Sequence, residues 1–182
     1  MESFKEFTLL LSSLSAKIAL FQSVHEQALL VNKNCRVLGS DSDACCQGFK
    51  QIKNFVLMPE IKNFKRDTLL KFCKENKIQF IIPTRDGELY FWASHQEFLM
   101  KNHIGVMISS TSAISLCDDK FAFFQYFENA PIPSIKTSLS LDSLPTSYNR
   151  FVVKERTGSA SRSIGLNLEI EVSWQCLCSY GS

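Results

Sequence analysis

The sequence is poor in the features that mark fibrous, membrane-spanning or linker-rich chains. Among 182 residues there are only 7 glycines and 5 prolines, and the longest apolar run, residues 89–93, has five members. A membrane-spanning helix needs roughly 20. Neither sign of charge is in excess, since 20 Lys and Arg face 18 Asp and Glu, which argues against a broad nucleic-acid-binding surface. With 45% apolar residues, we expect a globular chain with a substantial core.

The N-terminus and the cysteines predict a cytoplasmic protein with reduced thiols. Glu2 and Glu6 offset the charge of Lys5, and an amphipathic pattern resumes at Lys17, so a signal peptide is not expected. The 7 cysteines are odd in number and include no C-x-x-C pair. They therefore indicate neither a disulfide framework nor a zinc site.

Up to about residue 110, short apolar runs alternate with amphipathic stretches. The runs predict strands at 7–11, 35–39, 55–58, 78–82 and 105–108, and the stretches predict helices at 17–31, at 67–76 with Asp67 as cap, and from Asp86 onward. Strands that alternate with helices at this spacing favour an open α/β fold, with a parallel sheet covered on both faces by helices.

After residue 110 the pattern changes. Two short helices are predicted, and the second begins at Asp118 or Asp119 and ends near Asn129. Strands at 151–154 and 164–172 follow, joined by a small polar loop, which is typical of an antiparallel unit. We therefore predict two domains, 1–110 and 111–182.

The carboxyl edge of the predicted sheet is the first place to look for a ligand, because open α/β sheets bind ligands there. Asp41 follows the second strand, where an acidic residue often holds a ribose. However, residues 12–16 lack G-x-G-x-x-G, so NAD is not expected, and the chain has no P-loop motif. Helix capping or solvation is favoured for Asp41 and Asp43, and a small-molecule sensor site near Asp41 and Asp86 stays an alternative.

A second candidate site lies where a strand delivers Lys154 to the loop of small residues 157–163. Such a loop can turn successive backbone N–H groups toward one anion, and Lys154 and Arg162 add positive charge. On spacing alone, a surface hairpin without a ligand fits equally well.

Lys120 strengthens the anion hypothesis. It lies in the first turn of a predicted helix, where a cation opposes the helix macrodipole unless it reaches for an anion. The alternative is a surface ion pair between Lys120 and Asp118 or Asp119.

Several short motifs occur in a fixed order along residues 7–170. They are Val37-Leu38-Gly39-Ser40-Asp41-Ser42-Asp43, Pro59 after a strand, Ile78-Gln79-Phe80-Ile81-Ile82-Pro83-Thr84-Arg85-Asp86-Gly87-Glu88-Leu89, Ser110-Thr111, Cys117-Asp118-Asp119-Lys120, Pro131-Ile132-Pro133-Ser134 and Val153-Lys154-x-Arg156-x-Gly158-Ser159-x-Ser161-Arg162. The ordered set resembles ATP-grasp proteins of the carbamoyl-phosphate-synthase-like, carboxylate–amine ligase type.

The resemblance implies a Rossmann-like pre-ATP-grasp domain followed by the first part of an ATP-grasp α+β domain. It implies an ATP- and Mg²⁺-dependent ligase that joins a small carboxylate to an amine through an acyl phosphate. Lys120 and Lys154 match positions that contact ATP phosphates, and residues 158–163 match a mobile loop that covers them. The cofactor-binding residues it implies are Lys120, Lys154, Arg156, Gly158, Ser159, Ser161 and Arg162.

The sequence also departs from this family pattern. Glu155 stands where proline is favoured, Ala160 and Ser163 replace small Gly positions, and the later metal-ligating residues of the family have no counterpart in the chain. Residues 173–182 resemble nothing in the family, so we expect an incomplete ligase with weak nucleotide binding and no turnover. The alternative is a non-catalytic interaction module that a partner or a second copy completes.

Overall fold

The computed structural model describes residues 6–144, 147, 150–158 and 164–169. The chain divides into two compact units, Met1–Thr111 and Ser112–Ser182. None of the helices in the described ranges is both long and apolar enough to cross a membrane.

The first unit is an α/β sheet structure, as the sequence predicts. Its strands are β1 Phe7–Ser12, β2 Cys35–Asp41, β3 Phe55–Leu57, β4 Phe80–Pro83 and β5 Gly105–Val106, and its helices are α1 Ile18–Val31, α2 Gln47–Gln51, α3 Arg66–Glu75 and α4 Leu89–Lys101. The prediction omits only α2 among these helices, because five residues are too few to show a helical period.

The five strands are all parallel and lie in the order β3-β2-β1-β4-β5. The chain therefore builds outward from β1 through β2 to β3, then returns to the other side of β1 with β4. The carboxyl ends of β1 and β4 meet there, with Ser12 opposite Pro83. In parallel sheets, this reversal of strand order opens a crevice in which ligands bind.

Adjacent leucines of β1 serve two separate cores, one on each face of the sheet. Leu10 belongs to the cluster that packs against α3 and α4 and includes Trp92. Leu11 belongs to the cluster that packs against α1 and includes Phe21. Both leucines are fully buried, and burial of such a side chain contributes about 1.5–3 kcal/mol. Covering both faces makes the first unit Rossmann-like.

In the second unit, the described residues form the α-helices α5 Thr111–Asp118, which begins at the boundary residue, and α6 Lys120–Phe127, followed by a 3₁₀ turn at Leu141–Ser143 and the strands β6 Phe151–Val153 and β7 Gly165–Leu168. The two strands pair antiparallel, as predicted, with an irregularity in register. The predicted last strand continues to residue 172, and its part from 170 onward lies outside the described residues.

Three predicted helix ends differ from the observed ones. Asp67 does not cap α3; instead the Lys65 N–H donates to Thr68 Oγ1 at 3.0 Å. Asp86 opens a short 3₁₀ turn, and the α-helix begins at Leu89. The helix predicted to reach Asn129 ends at Phe127. A local hydrogen bond or dihedral angle decides where each helix begins or ends, and the spacing of apolar residues does not report either of them.

Candidate functional site

The turn that follows β1 is built from serines where dinucleotide-binding folds use glycines. Ser13 and Ser15 adopt the left-handed region, with φ of 48° and 49°. Two bonds to the end of β2 stabilise this backbone: Leu14 N–H donates to Ser40 O at 2.9 Å, and Ser15 N–H donates to Asp41 Oδ2 at 2.9 Å. Few side chains adopt this conformation without such support.

Asp41 uses both carboxylate oxygens on the backbone. Oδ2 accepts from Ser15, and Oδ1 accepts from the N–H of Asp43 at 3.0 Å. Asp43 in turn accepts from the Cys45 N–H at 2.7 Å. The two aspartates therefore shape the turns at this edge of the sheet, a role closer to the capping interpretation than to ribose binding.

Lys17 joins the β1 turn to the segment after β4. Its Nζ donates to Thr84 O at 2.8 Å and to Ser13 O at 3.2 Å. The Thr84 hydroxyl accepts a further bond from Lys17 Nζ at 3.1 Å and lies 2.7 Å from Ser12 O, to which it donates. The two loops that border the crevice are thus tied together by a charge-assisted hydrogen-bond network.

Glu88 is fully buried at the same edge of the sheet. Its Oε2 accepts from Ser12 Oγ at 2.8 Å and from Trp92 Nε1 at 3.0 Å. Its Oε1 has no hydrogen-bond partner among the described residues, although Arg85 Nε lies 3.7 Å away. A buried carboxylate with two neutral donors and one nearby cation is costly to maintain unless its surroundings are fixed.

Sequence reasoning missed the role of Glu88 and named it only within a motif. Two signals point toward it: the four-residue spacing to Trp92, which puts both side chains on one helix face, and the serine that ends β1.

Arg85 and Asp86 lie exposed at the same edge. The edge therefore presents one cation and one anion above a rigid, hydrogen-bonded base.

In the second unit, Lys120 contacts the segment that follows Lys154. The Lys120 N–H donates to Arg156 O at 3.1 Å. Its Nζ donates to Gly158 O at 3.0 Å and lies 3.4 Å from Arg156 O. An ammonium carries three donors, so one remains for a ligand. Lys154 is exposed directly after β6, so Lys120 lies beside residues that follow Lys154 by only a few positions.

Asp119 pairs with Arg156 rather than with Lys120. Arg156 Nε lies 2.9 Å from both carboxylate oxygens, and Nη2 lies 2.6 Å from Oδ2. Asp119 also caps α6 by accepting from the N–H groups of Phe121 and Ala122, each at 3.0 Å. Arg156 therefore anchors the loop to the start of α6, a role that the resemblance did not imply.

These contacts shift the pKa of both partners. The hydrogen bond from Arg156, followed by that from the Ala122 N–H, lowers the pKa of Asp119 to about 2. The hydrogen bond to Asp119 raises the pKa of Arg156. Both groups are consequently charged at neutral pH.

The loop turns at Gly158, whose φ is +112°. A side chain there would be strained, and its Cβ would come within 3.0 Å of Glu155 Oε2. The other predicted phosphate-binding residues, Ser159, Ser161 and Arg162, lie outside the described residues, so their roles stay predictions. Among the residues that the structure describes, no group of three or more His, Cys, Asp or Glu side chains could hold a metal ion.

Comparison with known proteins identifies the class to which the fold and the ordered motifs belong. The first unit is the Rossmann-like domain of an ATP-grasp, carboxylate–amine-ligase-like protein. The family model described as "PylC-like, N-terminal domain" matches residues 9–108, and the chain belongs to that family. This confirms the resemblance predicted from the motifs. No curated protein sequence matches the chain.

Solved structures support the fold. Biotin carboxylase from Campylobacter jejuni, in a complex titled "beta-gamma-ATP", aligns with a TM-score of 0.59 at 17% identity over 95% of this chain and 42% of that one. Pyruvate carboxylase from Rhizobium etli, with acetyl coenzyme A, aligns with a TM-score of 0.59 at 11% identity over 92% of this chain and 16% of that one. The chain therefore spans less than half the length of either structure.

Proposed function

We propose that the chain binds ATP and takes part in the ATP-dependent ligation of a small carboxylate to an amine. The proposal is supported by the family match over residues 9–108 and by the fold shared with a biotin carboxylase that was solved as a beta-gamma-ATP complex. The observation that carries it is the placement of Lys120 Nζ on the carbonyls of residues 156 and 158. That contact brings a cation to the loop that the family uses for phosphates.

In this proposal Lys120 and Lys154 bind the triphosphate. At ~4 Å and an effective dielectric constant near 20, a cation–phosphate charge pair is worth about 4 kcal/mol before desolvation is subtracted. The Asp119–Arg156 pair would hold the loop against α6 while residues 158–163 cover the phosphates. Gly158 supplies a left-handed turn at the start of this loop.

ATP would supply the phosphoryl group. A carboxylate oxygen of the substrate attacks the γ-phosphorus and ADP leaves; the amine nitrogen then attacks the acyl carbon and phosphate leaves. Mg²⁺ would accompany the triphosphate and neutralise part of its charge. We place the reaction in the cytoplasm.

The carboxyl edge of the first unit would receive the small substrate. Arg85 offers a guanidinium to a carboxylate, and Asp86 offers a carboxylate to an amine. The network of Lys17, Thr84 and Glu88 beneath them fixes both loops, so little conformational entropy remains to be lost on binding.

Isothermal titration of the chain with Mg-ATP tests the proposal. We expect weak, saturable binding that Lys120→Ala and Lys154→Ala each reduce at least about tenfold, as the loss of one cation–phosphate contact implies. Lys136→Ala removes an exposed lysine from the same unit and should change nothing. Equal affinity in all three variants, or no binding to the unmodified chain, would contradict the proposal.

A second candidate function is an interaction module that a partner or second copy completes. Exposed apolar side chains in the second unit favour it: Ile135 is 90% exposed, and Tyr126 and Leu166 are each 68% exposed. Such surfaces favour association. Sedimentation velocity distinguishes the candidates, because a clean monomer at high concentration counts against this one.

A further inference from the structure

A cavity of about 400 Å³ opens at the amino-terminal edge of the first unit's sheet, opposite the edge described above. Its walls come from the last turn of α3, the segments that follow α3 and α4 and lead into β4 and β5, and the start of β1. This volume falls within the range of small-molecule sites. The proposed ligase function uses none of these residues.

The two helices that border the cavity end in the same backbone motif. Lys77 N–H donates to Lys74 O at 3.0 Å, and His103 N–H donates to Met100 O at 3.0 Å. Lys77 and His103 both occupy the left-handed region, with φ of 55° and 60°. Glycine is the usual residue at this position of a helix end. Here Lys77 occupies one of these positions and His103 the other, each at a conformational cost, and the two residues line the cavity.

The inner wall of the cavity carries one buried hydroxyl without a partner among the described residues. Thr8 lines it and is 1% exposed, yet its Oγ1 has no hydrogen-bond partner among the described residues. The Thr8 N–H donates to Gln79 Oε1 at 2.9 Å, which orients the Gln79 amide. Most buried hydroxyls are paired, so an unpaired one beside a cavity points to a ligand or solvent.

The charges around the cavity are mainly positive. Lys74 and Lys77 are the cationic residues among the lining side chains and Glu6 is the acidic one, while His103 adds an imidazole. Glu6 lies 3.8 Å from Lys77 in an exposed pair. Burial raises the pKa of Cys73 to about 12, so this lining thiol stays neutral. Helix C-termini attract cations on their own, but this does not account for the cavity or for the unpaired Thr8 hydroxyl.

We propose that this cavity binds a small organic anion. Its carboxylate or phosphate group would lie among Lys74, Lys77 and His103, and its remaining polar atoms would reach Thr8 and Gln79. The side chains at the two left-handed positions then serve to bind the anion.

Amide NMR of the full chain, titrated separately with succinate and with inorganic phosphate, tests this site. We expect saturable shifts at Thr8, Lys77, Gln79 and His103 with at least one anion, and none with the neutral analogue succinamide. A response to succinate alone assigns a carboxylate ligand, and a response to phosphate alone assigns a phosphorylated one. Failure of both anions to shift these amides would overturn the proposal.

Two variants separate loss of binding from loss of folding. Lys77→Gly combined with His103→Gly removes both side chains and relieves both strained dihedrals, so we expect a higher Tm together with at least tenfold weaker anion binding. Lys71→Gln removes an equal charge from α3 outside the cavity and should leave binding unchanged. Unchanged anion affinity in the double variant would contradict the site.

Glu6→Gln tests the sign of the ligand's charge. It removes a negative charge from the cavity and frees Lys77, so anion binding should tighten a few-fold. Weaker binding in this variant would mean that the cavity selects cations, and the proposal would fail.

Discussion

The two units differ in how many apolar side chains they bury and in whether their polar groups pair in the core or at the surface. The first unit has a core on each face of its sheet and a buried polar network between β1 and α4. In the described part of the second unit, the buried apolar side chains are Ile114, Phe124, Phe151 and Val153. Polar groups there pair at the surface, as Asp119 and Arg156 do. Stability in the first unit therefore depends on burial, and order in the second depends more on exposed hydrogen bonds and charge.

Glu88→Ala gives the largest expected effect and tests the first half of this contrast. It leaves Ser12 Oγ and Trp92 Nε1 buried without an acceptor and opens a cavity, which should cost about 3 kcal/mol of unfolding free energy. Urea denaturation followed by the near-ultraviolet circular dichroism of Trp92 measures it. Glu97→Ala, at an exposed site in α4, the helix that follows Glu88, is the control. A loss below about 1 kcal/mol would mean that the buried network contributes little.

Gly48→Ala should have an intermediate effect, also in the first unit. An added Cβ would meet Ser15 O at 2.8 Å and Phe55 Cε2 at 2.7 Å, so the serine turn must shift. We expect a loss of about 1–2 kcal/mol, since overpacking outweighs the gain in helix propensity. Gly87→Ala is the matched control, because the nearest atom to its Cβ would be Arg85 Nε at 4.0 Å. Equal stability of the two variants would contradict the close approach.

Asp119→Asn gives the smallest expected effect and tests the second half of the contrast. Because folding lowers the pKa of Asp119 from 3.8 to about 2, its contribution is complete above about pH 4 and is lost as pH falls through 2. NMR of the Asp119 carboxyl carbon should show a midpoint near 2. Asparagine keeps the cap but loses the ion pair, so the variant's α6 amides should lose their response to pH in this range. A midpoint near 3.8 would show that the pair with Arg156 is not formed.

Local sequence patterns predicted much of the first unit. Short apolar runs, which are typical of strands covered on both faces, predicted the positions of all five strands. An aspartate before an apolar segment predicted the cap of α6. The patterns did not predict α2, the left-handed serines or the buried Glu88. Ser12 and Glu88 are separated by 76 positions, so their contact depends on the packing of α4 against β1, which no local period encodes.

Alternating apolar periods and ordered motifs are properties of neighbouring residues, so the amino-acid sequence alone predicted the succession of the five strands and the longer helices along the chain and the resemblance to the family. Only the tertiary structure decided that Asp41 supports a turn, that Arg156 pairs with Asp119, and that Lys77 and His103 border one cavity. The roles of Asp41, Lys77 and His103 depend on which strand ends the parallel register brings to the same edge of the sheet, and the pairing of Arg156 depends on how the segment after β6 lies against the start of α6. The physical reason is that hydrogen bonds and charges act over a few ångströms in space, whatever the distance along the chain.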